Sequence, residues 1–64
     1  MTGTIKNIYP AKGYGFIKGE DGKDYFMHRS AVKNAKFEEL GVGQEVTFED
    51  AESDRGARAE DVYV

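Results

Sequence analysis

The stretch KGYGFIKGEDGKDYFMHRS, residues 12–30, decides how this chain folds. It holds four of the eight aromatic rings, set among glycines, charges and the single histidine. Asp21-Gly22 near its middle is a strong hairpin-turn signal. Residues 14–18 (YGFIK) and 24–28 (DYFMH) therefore read as two strands joined by a turn at 19–23. Side chains alternate across a strand. Tyr14, Phe16 and Lys18 share one face, and Gly15 and Ile17 the other. In the second strand Asp24, Phe26 and His28 oppose Tyr25 and Met27. Burying an unpaired charge costs several kcal/mol, so the face that holds Lys18, Asp24 and His28 belongs in water. Ile17 and Met27 are expected inside with Tyr25 at the rim, and Tyr14, Phe16 and Phe26 outside.

Outward from this hairpin, turn signals continue to break the chain. Glycines at 3, 13, 15, 19, 22, 41, 43 and 56 leave only short runs, the pattern of an all-β domain. Residues 4–9 (TIKNIY) form a first strand, ended by Pro10, which has no N–H to donate. Ser30 is expected to cap a short helical turn over 30–32. Residues 33–44 form a longer connection anchored by Phe37 and Leu40. Residues 45–50 (EVTFED) alternate as a fourth strand, 51–56 form a polar loop, and 58–64 a fifth strand. Five short strands best hide their edges by closing on themselves. The expected architecture is a five-stranded antiparallel Greek-key barrel, the OB-fold, with residues 1–64 as one domain.

Sixty-four residues without cysteine exclude disulfides and thiolate metal sites, and suit a reducing compartment. One histidine and scattered carboxylates show no metal-ligand spacing. No nucleophile and base stand together, so an enzyme is not expected, and no cofactor is implied. No basic leader or apolar stretch of about 20 residues is present, so a cytoplasmic protein away from membranes is expected. The net charge of −3 is unevenly spread. Residues 1–33 carry six lysines and arginines against three carboxylates, for +3; residues 34–64 carry three against nine, for −6. The aromatic half is the basic half, and a local positive field attracts phosphates whatever the total charge.

Three outward rings beside lysines suit unstacked bases. Each stacked base contributes about 1–3 kcal/mol while cations hold the phosphates. Gly13 and Gly15 place no side chain in the way of an approaching strand. The competing reading is a second apolar cluster covered by the 33–44 connection, with Phe37 packed on it.

These residues also carry a resemblance. Lys12-Gly13-Tyr14-Gly15-Phe16-Ile17 resembles the first ribonucleoprotein motif, and Asp24-Tyr25-Phe26-Met27-His28 the second motif of the bacterial cold-shock proteins. The similarity continues through Ser30-Ala31-Val32, Phe37-Glu38-Glu39-Leu40, Gly43 to Phe48, Arg55-Gly56 and Asp61-Val62. An RNA-recognition-motif domain carries such motifs in the opposite order on a longer chain with two helices. The resemblance implies an OB-type barrel that binds single-stranded RNA or DNA with little sequence preference, acting as an RNA chaperone or regulator of gene expression. A monomer is expected. Carried over position by position, the binding platform is Lys6, Lys12, Tyr14, Phe16, Phe26, His28, Phe37 and Arg55. Phe37 is equally well placed as a loop anchor.

The chain departs from the family where Asn7 replaces a usual tryptophan, Ile8 and Arg29 replace phenylalanines, and Ala57 replaces a proline. Losing two stacking rings weakens binding about 30-fold or more. Arg29 recovers part of this, because a guanidinium stacks on bases and pairs with phosphate. Tyr9 would add a ring if a bulge in the first strand turned it outward. A second hypothesis follows from the same losses: an OB-type module whose remaining rings meet a polypeptide.

Overall fold

The computed structural model describes residues 1–53 and 56–64. Five strands, β1 (Thr2–Tyr9), β2 (Tyr14–Gly19), β3 (Asp24–His28), β4 (Glu45–Ser53) and β5 (Gly56–Tyr63), close into a barrel in the order β1-β2-β3-β5-β4. β4 returns to β1 through Thr2↔Thr47, Gly3↔Val46 and Thr4↔Glu45, which leaves no open edge. All neighbours are antiparallel except β3 and β5, which run parallel through Phe26↔Arg58 and Met27↔Ala59. That parallel pair stands in an otherwise antiparallel barrel, which agrees with the Greek-key expectation. It is forced by the Greek-key path, because the chain leaves β3, crosses over residues 33–44, and places β5 beside β3 only after β4. Of the polar loop expected at 51–56, residues 51–53 belong to β4 and Gly56, with φ +111°, opens β5, while residues 54 and 55 lie outside the described residues. Polarity misled there, because a hairpin with its outer face in water needs no apolar residue on that face. Among the described residues no helix is long and apolar enough to cross a membrane.

The interior follows the alternation. Ile17 and Met27 are fully buried, joined by Ile5, Val46, Phe48, Ala59 and Val62 from the other strands. Phe37, in a 3-10 turn over Phe37–Glu39, and Leu40 close the barrel from the long connection, and both are buried. Tyr25 goes further in than the rim. Its ring lies 5.0 Å from that of Phe48, while its hydroxyl surfaces at the β2–β3 turn and donates to Asp21 Oδ2 at 2.6 Å. Asp21 Oδ1 accepts from the Lys23 N–H at 3.1 Å, and Gly22 takes φ +83° to complete the turn.

This lock has a pH signature. The Tyr25 hydroxyl, then the Lys23 N–H, holds the Asp21 carboxyl below its ordinary 3.8. Asp21 in turn, with burial, pushes the Tyr25 phenol from 10.0 up to about 12. A depressed carboxyl contributes stability that is present above its unfolded value and lost as pH falls through its folded one. A raised phenol contributes stability that is present below pH 10 and lost as pH rises towards about 12. Melting curves across pH should therefore show Tyr25→Phe with a lower midpoint at neutral pH and a flatter fall at both extremes. Parallel acid and alkaline limbs in the two proteins would exclude this lock as their cause.

Two bulges re-aim side chains. In β1, Ile5 pairs with Ile17 but Asn7 pairs with Phe16, so Lys6 is the extra residue. In β5, Thr47↔Tyr63 and Glu49↔Glu60 leave one extra residue, beside Asp61 at φ +48°. Aspartate tolerates this left-handed backbone better than most residues. Val62 is thereby turned into the core, where it also bridges Val32.

Candidate nucleic-acid interface

The pairing registers stack the outer face of β1, β2 and β3 into three rungs. The first is Tyr9–Tyr14–His28, the second Asn7–Phe16–Phe26 and the third Thr4–Lys18–Asp24. The bulge at Lys6 sets the first two. Strict alternation from the buried Ile5 would send Asn7 and Tyr9 inward, and the extra residue reverses them. Ile8 instead packs against the core. A signal for this stood in the sequence: Ile5 and Ile8 both need burial, and their odd spacing cannot be met by a regular strand.

The rings form one contiguous group. Tyr14 and Phe26 stack with centroids 5.7 Å apart and planes at 29°. Phe16 meets Phe26 edge-on at 5.8 Å and Tyr14 at 6.2 Å. Tyr9 joins at 5.3 Å from Tyr14. Each ring supports the next, which fixes their planes before any ligand arrives. Phe26 remains 36% exposed, and Tyr14 and Phe16 are half-buried against their neighbours.

His28 ends β3 with an extended backbone, and this brings its Nδ1 within 3.2 Å of the Ser30 N–H. His28 therefore caps the 3-10 turn over Arg29–Ala31, correcting the assignment of that role to Ser30. Accepting at Nδ1 leaves Nε2–H as the donor available to a ligand. The Ser30 hydroxyl lies 2.8 Å from the same Nδ1 and helps hold the ring.

The cations differ in commitment. Lys6 Nζ pairs with Asp24 Oδ2 at 2.9 Å, both side chains about half exposed (47% and 48%). Such a surface pair is worth at most about 1 kcal/mol, so a phosphate competes with it. Lys12, Lys18 and Arg29 form no ion pair among the described residues. Arg29 is tied to the platform by its backbone, whose N–H donates to Gly13 O at 2.9 Å. The carboxylates Glu49, Asp50, Glu52, Glu60 and Asp61 are exposed on β4 and β5, across the barrel from β2.

Three sequence-based assignments change. Phe37 is 5% exposed and packs in the core cluster, the position of a loop anchor. This also removes the reading in which Phe37 covers the outer rings. Gly15 is buried, and a Cβ there would stand 2.6 Å from the Asn7 carbonyl oxygen, so it admits β1 and not a ligand. Gly13 has φ +78° and turns the chain under the Arg29 side chain. Arg55 lies outside the described residues.

With this geometry in place, likeness to known proteins is informative. The family model of the 'Cold-shock' DNA-binding domain matches residues 1–64. The chain is 52% identical over 60 residues to Cold shock protein 1 of Lactiplantibacillus plantarum, covering 94% of this chain and 91% of the relative. It is 48% identical over 62 residues to Cold shock-like protein CspLB of Listeria monocytogenes, covering 97% and 94%. With Cold shock protein CspC of Bacillus subtilis it shares 43% over 60 residues, covering 94% and 91%.

Proposed function

Because this chain belongs to the cold-shock domain family, we propose that it binds single-stranded RNA or DNA on the outer face of β1–β3 and acts as an RNA chaperone or regulator of gene expression. The observation that carries this reading is the preformed row of mutually packed rings, Tyr14, Phe16 and Phe26, on the basic side of a barrel whose far side is acidic. Bases stack on the rings; Lys12, Lys18 and Arg29 meet phosphates; His28 offers Nε2–H. Stacking tolerates any base, so sequence preference is low. A strand held with its bases on protein rings is withheld from pairing, which is the physical content of chaperoning RNA.

Salt tests the electrostatic half. Each neutralised phosphate on a single strand adds about −0.7 to the slope of log affinity against log salt. Three such contacts predict a slope near −2, so a fourfold rise in salt should weaken binding about 20-fold. Anisotropy of a labelled oligothymidine across a salt series measures it. Absence of binding at low salt would favour a polypeptide partner for these rings instead.

A further inference from the structure

Tyr9 is 41% exposed, more than Phe26 at 36%, and it lies one residue beyond the family positions held here by Asn7 and Ile8. Four observations converge on it. The bulge at Lys6 turns its ring onto the binding face, opposite Tyr14. Its centroid sits 5.3 Å from that of Tyr14 at 51°, so it continues the aromatic row past its end without covering it. The chain then doubles back tightly, Lys12 N–H and Gly13 N–H both donating to Tyr9 O at 3.0 and 2.9 Å. That turn carries Lys12 Nζ to 6.0 Å from the Tyr9 ring centre. On the same turn the Arg29 side chain lies over Gly13, its Cδ 2.9 Å from where a Cβ would stand. Neither Lys12 nor Arg29 has an ion pair among the described residues, whereas Lys6, on β1 beside Asn7, is engaged by Asp24.

We infer that Tyr9, Lys12 and Arg29 form an additional nucleotide subsite at the β1–β2 turn, with a base on the Tyr9 ring and its phosphate between the two cations. The bound strand's footprint is thereby extended past Tyr14, and part of the stacking lost at Asn7 is recovered at the other end of the row. The inference rests on the single-strand reading above.

Labelled oligothymidine is titrated into the intact chain and its variants at low salt. Tyr9→Ala should bind about 5- to 150-fold more weakly, the cost of one stacked base. Tyr63→Ala, which removes an equally exposed ring on β5 (47%), should bind as the parent does. Lys12→Gln should make the salt slope shallower by about 0.7. The chain has no tryptophan, so Tyr9→Trp introduces a single indole whose fluorescence should be quenched as the strand saturates. This second readout decides the matter even if Tyr9→Ala folds poorly. The subsite is overturned if the indole stays unquenched, or if Tyr9→Ala keeps parental affinity while Phe26→Ala loses it. Failure of the parent chain to bind would instead sink the single-strand reading, and the subsite with it.

Discussion

Replacing Phe16 and Phe26 together with alanine is expected to weaken binding of a single strand by at least about 30-fold and to leave the barrel folded. The two rings are the aromatic members of the second rung and pack edge-on at 5.8 Å. Each stacked base is worth about 1–3 kcal/mol, so two together account for about 2–6 kcal/mol, with tenfold in affinity for each 1.4 kcal/mol. Asn7, the third member of that rung, has no ring to compensate. The fold survives because Ile17 and Met27, the neighbours that point inward, are untouched and fully buried. Loss of the three outer ring pairs should cost about 1.5–4.5 kcal/mol of stability. Anisotropy titration beside a thermal melt separates the two effects. A doubly substituted chain that remains cooperatively folded and binds within threefold of the parent would refute the platform.

Gly15→Ala is expected to act on stability, with a fall in Tm of about 4–24 °C. The added Cβ would stand 2.6 Å from the Asn7 carbonyl oxygen and 3.2 Å from Ile8 Cα. Both are backbone atoms of β1, which cannot rotate away as a flexible side chain would. β1 also pairs with β4 to close the barrel, so displacing it strains both seams. Overpacking of this kind costs about 1–3 kcal/mol or more. A chain of this size holds only about 3–10 kcal/mol in total, and each kcal/mol moves Tm by about 4–8 °C. Gly41→Ala is the control, since nothing lies within 4 Å of its Cβ position. If Gly15 served an incoming strand, as its place between two rings suggests, the substitution would spare Tm and weaken binding alone.

The hairpin and its faces were legible because alternation is a strictly local rule. Tyr14, Phe16 and Phe26 outside, and Ile17 and Met27 inside, follow from period two and the cost of a buried charge. Motif order gave the family, and the closed five-stranded barrel agrees with it. Glycine was less legible. Gly15 reads as open space in a sequence and proves to be contact between two backbones. The extra strand residues at 51–53 were hidden by their polarity, since both strands of that hairpin expose acidic side chains.

By itself, then, the sequence determined the number and order of the strands, which face of the central hairpin is wet, and which family the chain joins. Those properties depend on neighbours within a few positions, where steric alternation and desolvation leave one answer. Tertiary structure decided that Phe37 is buried in the core, that His28 and not Ser30 caps the turn, and that the bulge hinted at by Ile5 and Ile8 falls at Lys6 and sets Tyr9 beside Tyr14. Each of these depends on a distant partner. Phe37 goes inward because strands far away in sequence leave a space it fills, and Tyr9 goes outward because β1 must bulge to bury both Ile5 and Ile8 against the same core.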